Sequence, residues 1–297
     1  MSKYDLHIST KTRFLNKLRL PFTIGVFEKM LLAFTLHSKS NFWIRIIPPH
    51  YLYKKKSLRT VVRRGFKVEL DLSDMFDHSV YFREYDPSFD NIIPELHTDS
   101  LIVDVGANIG YTALLFASHA KNSAVFAFDP HPDTFKKAQK NISLNSQLSI
   151  ELLNMGLGSK KDKLKLSEVN ETNSGMNRIL PEGSGSGFNS RQVEVDRLDD
   201  VLKSKKVAKV DLIKIDVEGY EAQVMAGAMQ TLSNCKPVLM MELDDNNLKD
   251  NLSSAAEIIK TLRSLGYNQI LNSATREMVT DKTDLTNCHW DIICKAV

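Results

Sequence analysis

The chain has 297 residues, with 39 Lys or Arg against 36 Asp or Glu, for a formal charge of +3. With 42% hydrophobic and 25% charged residues, 13 Gly, 9 Pro and 3 Cys, it is excluded from the disordered, collagen-like and disulfide-scaffold classes. The length suits two domains of roughly 150 residues each, or one large α/β domain with an appendage.

Charge is unevenly placed. Residues 1–67 carry 15 Lys/Arg against Asp5 and Glu28, a net of +13; the remaining residues carry 24 Lys/Arg against 34 Asp/Glu, a net of −10. A basic arm on an acidic body suits an anionic partner (membrane, nucleic acid or charged glycan) or is a solvated charged face. Cys235, Cys288 and Cys294 form no C-x-x-C pair, so neither disulfide nor zinc is expected, and a reducing cytoplasm is the simplest home. The start MSKYDLHISTKTRF has no apolar core of a secretory signal. The most apolar stretch, Phe22 to Leu36, is broken by Glu28 and Lys29 and falls short of the roughly 18 residues a bilayer span needs.

Residues 1–57 are expected to form a basic amphipathic helical arm, with Phe22, Val26, Met30, Ala33 and Phe34 near one face. Pro48-Pro49 stops the second apolar run, and Lys54-Lys55-Lys56 follows. Such an arm lies on an anionic membrane surface, here the inner one, or packs on its own domain. Residues 58–297 are expected to form the second domain. Within it, 58–98 hold a β-hairpin (Leu58–Arg63, turn at Arg64-Gly65, Phe66–Leu72) and a short lead-in helix over 88–97.

The core spans 99–297. Strands are expected at Leu101–Val105, Ala124–Phe128, Ser149–Met155, Val210–Val217, Pro237–Leu243, Tyr267–Leu271 and His289–Cys294, with helices at 111–120, 132–145, 219–233 and 252–265. Short apolar strands separated by helices predict an α/β fold with a parallel sheet covered on both faces. Strands at 163–167 and 191–195 bracket a polar excursion containing the Gly183-Ser-Gly-Ser-Gly187 loop, a lid or a plain surface connection.

The strongest chemical signal is the strand–turn–helix Leu101-Ile-Val-Asp-Val-Gly-Ala-Asn-Ile-Gly110. Ligands of open parallel sheets sit outside the carboxyl ends of strands. Gly106 permits a tight turn and close backbone approach, and Gly110 permits close helix packing. A dinucleotide fingerprint needs a glycine where Asn108 stands, so the turn is not built for a pyrophosphate. Two acids instead mark strand ends: Asp104, and Asp129 on the next strand, placed to accept the ribose hydroxyls of an adenosine. S-adenosylmethionine, net positive and without phosphate, suits an acidic cleft better than NADP does.

The second signal is Val210-Asp-Leu-Ile-Lys-Ile-Asp-Val-Glu-Gly-Tyr-Glu221. Alternation puts Lys214 and Asp216 on one face, and Glu218 and Gly219 follow at the strand's end. This strand is expected beside the first, bringing Asp216 and Glu218 to the reacting methyl. Lys214 is a candidate for either chemistry or a structural buried pair. A third cluster, Glu242, Asp244 and Asp245, is placed to join Asp216 around a hard cation. A capped helix start before Leu248 also accounts for these acids, and no metal is predicted.

With both glycine–acid motifs in place, the sequence resembles the FkbM-type methyltransferases, a branch of the class I, Rossmann-like S-adenosylmethionine-dependent fold. The resemblance rests on VDVGANIG (103–110), AFDPHP (127–132), LIKIDVEGYE (212–221) and MEL (241–243), and spans about residues 65–295. It implies a doubly wound seven-stranded sheet with a reversed last hairpin, and methyl transfer to an oxygen in glycan, lipid or natural-product assembly. By position it implies Asp104, Gly106, Ala107, Asn108 and Gly110 at the cofactor's amino-acid end and Asp129 at the ribose. Asp216 and Glu218 then fall at the acceptor, while Asp86, upstream of the core, matches an acidic position of the family.

The expected activity is O-methylation of a sugar hydroxyl in a glycan, glycolipid or natural-product precursor. Asp216 or Glu218 is the candidate general base, with His131 a weaker one. Three alternatives remain: an RNA methyltransferase guided by the arm, an NAD(P) oxidoreductase, and a non-catalytic membrane-surface glycolipid-binding module. Nucleic acid is disfavoured because the strand ends in Asp216-Val-Glu-Gly219 rather than in the Pro-Pro-aromatic box that stacks a base.

Overall fold

The computed structural model describes residues 9–37, 41–83, 88–169, 173–181 and 188–296. The chain divides into two compact units, Met1–Val61 with Glu69–Tyr85, and Val62–Val68 with Asp86–Val297. The Gly183-Ser-Gly-Ser-Gly187 loop and Asp86 lie outside the described residues.

The first unit holds helices α1 (Thr10–Arg19), α2 (Gly25–His37), α3 (Asn41–Ile46) and α4 (Met75–Arg83). Ser9 caps α1, its Oγ accepting from the Thr12 N–H at 3.2 Å. Glu28, on α2, is buried, and a buried carboxylate needs strong partners. It has them: the Arg59 guanidinium grips it at 2.8 and 2.9 Å, and the Tyr81 hydroxyl donates at 2.9 Å. On the same helix Val26, Met30 and Phe34 face solvent, as do Phe14, Leu18, Ile24 and Phe27, while Leu31 is buried. The apolar stripe of the arm thus points outward. Among the described residues, no helix is long and apolar enough to cross a membrane.

Strands β1 (Leu58–Arg63) and β2 (Phe66–Asp71) pair as a hairpin. Its turn residues Arg64 and Gly65 have φ of 45° and 90°, the positive values a two-residue turn needs to match strand twist.

In the second unit the order is α5 (Phe89–Ile92), β3 (Leu101–Val105), α6 (Tyr111–His119), β4 (Ala124–Phe128), α7 (Pro132–Ser143), β5 (Ser149–Leu153), β6 (Gly156–Leu157), β7 (Asp162–Glu168), β8 (Arg178–Ile179), β9 (Asn189–Asp196) and α8 (Leu198–Ser204). It continues with β10 (Leu212–Ile215), α9 (Glu221–Gly227), α10 (Met229–Cys235), β11 (Val238–Asp244), α11 (Asp245–Asp250), α12 (Ala255–Ser264), β12 (Gln269–Asn272) and β13 (His289–Lys295). Among the described residues the main sheet has seven strands in the order β12-β13-β11-β10-β3-β4-β5. Pairing is parallel except at β13, which runs antiparallel to both β11 and β12. The expected doubly wound sheet with a reversed last hairpin is therefore present. The strand order reverses between β3 and β10, so the site gathers where their carboxyl ends meet. All four residues of β10 are buried, which explains its unbroken apolar run apart from Lys214.

The polar excursion is more ordered than its composition suggests. β7 and β9 pair antiparallel, and with β6 and β8 make a second, four-stranded sheet. The helix expected over 219–233 is broken at Ala228 into α9 and α10. At the break Gly227 presses on a neighbouring loop, where a Cβ would stand 1.9 Å from the Gly158 carbonyl oxygen. The helix expected from 252 starts at Ala255, capped by Ser254, and α8 has no counterpart in the expected elements.

Candidate active site

The turn after β3 is tied to the end of β4: the N–H groups of Gly106 and Ala107 both donate to the Phe128 carbonyl, at 3.0 and 2.9 Å. Gly106 has φ +79°, and a Cβ there would lie 1.9 Å from the Asp216 carbonyl oxygen. Only glycine lets this turn abut the one after β10. Asn108 also has positive φ, 50°. Gly110, at φ +80°, brings α6 against Ala138 of α7.

Asp104 is wholly buried. Its Oδ2 accepts from the Thr112 hydroxyl at 2.5 Å, and its Oδ1 lies 3.5 Å from the Lys214 ammonium. Burial pushes its pKa up, against the pull of Lys214 and Thr112. Asp129 is also buried and braces the turn. Its Oδ2 accepts from the Asn108 N–H at 2.8 Å, and its Oδ1 from the His131 N–H at 3.0 Å and from the Thr134 hydroxyl. Burial pushes Asp129 up to about 7. His131 caps α7 and is buried, with Nε2 3.1 Å from Glu168.

Lys214 sits opposite Asp104 in the parallel register of β10 and β3. Its ammonium donates to the Gly106 carbonyl at 2.9 Å and lies 3.1 Å from Asp216 Oδ2 and 3.5 Å from Asp104 Oδ1. Burial disfavours its charge, but the Asp216 and Asp104 carboxylates outweigh that and hold its pKa above the ordinary lysine value. A lysine so held is a cationic tie between strand ends.

Beyond β10, Glu218 and Gly219 have φ of 54° and 99°. A Cβ on Gly219 would lie 2.3 Å from the Asn247 carbonyl oxygen, so this turn presses on α11 as Gly106 presses on Asp216. Glu218 Oε2 accepts from the Asn247 amide at 3.0 Å. Burial, then the charges of Asp216 and Glu221, push Glu218 up to about 8. Glu221, at the start of α9, is buried; its Oε1 accepts from the N–H groups of Val217 and Gly219, each at 3.1 Å. Burial pushes it up to about 7.

From β11, Glu242 joins this group. Its pKa is raised well above the usual range by burial and then by Asp216, Glu218 and Glu221. Among the described residues, the buried Oε2 atoms of Glu221 and Glu242 meet no hydrogen-bond partner. The other two acids of that cluster serve the backbone. Asp244 caps α11, accepting from Asn246 and Asn247. Asp245 accepts from Ala255 and Asn287, both at 3.0 Å, and pairs with Lys249.

Asp104, Gly106, Ala107, Asn108, Gly110 and Asp129 thus lie together at the β3 and β4 ends, and Lys214, Asp216 and Glu218 at the adjoining β10 end. Residues that the motifs did not single out complete the framework: Thr112, Thr134, Glu221, Asn247, and Arg178 of β8, which donates to the Asn247 side chain and pairs with Asp250 at 3.1 Å. Glu221 was legible as the last acid of the second motif; Arg178 carries no local signal. The chemistry on offer is a backbone turn beside an excess of carboxylates, which favours a cationic ligand over a phosphorylated one.

Comparison with known proteins bears on this site. The family model described as "Methyltransferase FkbM domain" matches residues 104–268, more than half of the chain. A hexuronic acid methyltransferase, AglP, of Haloferax volcanii is 29% identical over 149 residues, which cover 50% of this chain and 58% of that protein. Methyltransferase 1 of Beauveria bassiana is 31% identical over 146 residues, 43% of this chain and 58% of that protein. The 2-O-methyltransferase NoeI of Sinorhizobium fredii is 25% identical over 178 residues, 56% of this chain and 72% of that protein. The chain therefore spans under two thirds of the length of the first two relatives.

Proposed function

The chain belongs to the FkbM methyltransferase family, and we propose that it transfers a methyl group from S-adenosylmethionine to a hydroxyl oxygen of a sugar in a glycan, glycolipid or related small-molecule acceptor. The observation that carries this reading is the abutting pair of turns. Gly106 leaves its backbone bare against Asp216, and carboxylates outnumber the one buried ammonium there, Lys214. S-adenosylmethionine offers that surface an ammonium and a sulfonium against a single carboxylate. The residues fit the cofactor: Asp129 Oδ2 has one donor from the chain, which leaves a lone pair for a ribose hydroxyl. Ala107, Asn108 and Gly110 shape the turn beside it.

When bound, the cofactor supplies the electrophilic methyl. The chain's task is to align the acceptor oxygen and receive its proton. Asp216 and Glu218 are the candidate bases. Glu218, poised near 8, is the better matched to a hydroxyl proton at neutral pH, while Lys214 holds Asp216. A relative named for hexuronic acid and another named as a 2-O-methyltransferase support a sugar oxygen as acceptor.

Calorimetry with S-adenosylhomocysteine and NADH tests the cofactor, and labelled-methyl transfer into polysaccharide and lipid fractions of host extract tests the acceptor. Binding of S-adenosylhomocysteine with label in either fraction is expected. Binding of NADH alone would overturn the reading.

The arm supports a peripheral contact with anionic lipid at the inner membrane surface of a cytoplasmic chain. Its outward Phe14, Leu18, Val26, Met30 and Phe34 are interleaved with Lys11, Arg13, Lys17 and Lys29, the pairing a headgroup boundary favours. The full chain is expected to float with anionic vesicles and not with zwitterionic ones. Equal recovery with both would dismiss the contact.

A further inference from the structure

We propose that Asp216, Glu218 and Glu242 form a binding site for a hard divalent cation such as Mg²⁺ or Mn²⁺, at the carboxyl ends of β10 and β11. Each residue offers one carboxylate oxygen, and the three oxygens lie within 4.8 Å of one another. Oxygen ligands sit about 2.1 Å from Mg²⁺ and about 2.4 Å from Ca²⁺, so opposite ligands are about 4.2 to 4.8 Å apart. The cluster already has the span of such a coordination sphere.

A second observation points the same way. The buried Oε2 of Glu242 meets no donor among the described residues, and its Oε1 lies 3.6 Å from the Nε2 of the exposed His289. A carboxylate oxygen withdrawn from water without a donor costs free energy, which either a proton or an approaching cation relieves. Among the described residues, neither Lys214 nor Arg178 donates a hydrogen bond to Glu218 or Glu242, although the Arg178 charge is felt at Glu218. Lys214 is shared by Asp104, Asp216 and the Gly106 carbonyl, and Arg178 by Asn247 and Asp250. A sulfonium does not fit the gap, because three carbon substituents surround its sulfur and keep oxygens well beyond 2.4 Å.

Three protein ligands leave further positions for water and for acceptor oxygens, as Mg²⁺ sites commonly do. A pair of neighbouring sugar hydroxyls, or a hydroxyl beside a carboxylate, would complete the sphere and be oriented by it. Only this last step rests on the methyl-transfer reading; cation binding stands on the carboxylates alone.

Titration of the full chain with Mn²⁺, followed by loss of the free-ion electron paramagnetic resonance signal, tests the site. One Mn²⁺ per chain, released by EDTA, is expected. Glu242→Gln and Glu218→Gln should each weaken it about tenfold or more, with melting in EDTA matching the parent chain. Two variants are used so that a folding defect in one leaves the other decisive. No binding at millimolar Mn²⁺, or parent-like affinity in the folded variant, would overturn the site. Displacement of the ion by S-adenosylhomocysteine would also overturn it, assigning the cluster to the cofactor's ammonium. A chain that takes up S-adenosylhomocysteine without Mn²⁺ loses only this inference; one that takes up Mn²⁺ without the nucleoside loses only the proposed activity.

Discussion

The two turns that build the site treat their carboxylates in opposite ways. At the β3 and β4 ends, Asp104 and Asp129 are answered from within the chain by an ammonium, two hydroxyls and two backbone N–H groups, and only Asp104 Oδ1, 3.5 Å from the Lys214 ammonium, lacks a hydrogen-bond donor among the described residues. At the β10 and β11 ends, Glu218, Glu221 and Glu242 crowd one another, and two of their buried oxygens find no donor among the described residues. The first half is a finished framework that holds a shape. The second crowds acids whose raised pKa values favour their neutral forms until something positive arrives.

The most severe way to break this arrangement is to separate the halves. Gly106→Ala forces a Cβ to 1.9 Å from the Asp216 carbonyl at a left-handed φ, so the turns must part. A stability loss of about 3 kcal/mol or more is expected, with S-adenosylhomocysteine binding abolished, as read by urea unfolding and calorimetry. Lys214→Met attacks the tie between them. It strands the buried Asp104 charge and should cost about 3–5 kcal/mol. A second change, Asp104→Asn, is expected to restore part of that loss in a double-mutant cycle; strict additivity would show that the pair is not coupled.

Asp216→Asn sharpens the contrast in turnover instead of stability. If the crowded half receives the proton, the rate should fall by roughly 10²–10⁴-fold while S-adenosylhomocysteine affinity stays near the parent value. An unchanged rate would remove Asp216 from the reaction.

The mildest effect is a slope with pH. Asp129 is pushed up to about 7 in the fold from the ordinary aspartate value of 3.8, because burial outweighs the donors from Thr134, His131 and Asn108 and the pull of Lys214. Its acid form is thus favoured by folding. Between about pH 4 and 7 the unfolded chain loses this proton while the folded chain keeps it, so stability falls as pH rises through that window. Asp129→Asn should flatten that part of the melting-temperature profile relative to the parent. Parallel profiles would mean that the Asp129 carboxylate is ionised in the fold.

Much of the framework was readable in advance. Apart from Asp104 and Lys214, Leu101–Val105 and Leu212–Ile215 are apolar on both faces, as strands buried on both sides are, and each ends in a glycine–acid turn whose backbone few other residues could adopt. What escaped the pattern depends on approach between distant segments. Arg178 reaches Asn247 across 69 positions, Gly227 is pressed by Gly158, and neither contact has a period. The apolar residues of α2 show the opposite limit: the stripe was visible, but only the structure reveals that it faces solvent while Glu28 turns inward. For the acids after β11 the sequence offered capping and cation binding as rivals. Asp244 and Asp245 take the first role, and Glu242 is left to the second.

Lys214 touches the backbone of one turn and an acid of the other. Whatever draws Asp216 toward a newcomer must loosen its hold on that ammonium, and the change is felt at the Gly106 carbonyl. Occupancy at one end is therefore expected to alter affinity at the other, and by thermodynamic reciprocity the reverse with equal strength. On the proposed activity, calorimetry of S-adenosylhomocysteine with and without an acceptor is expected to show a heterotropic effect that Lys214→Met removes.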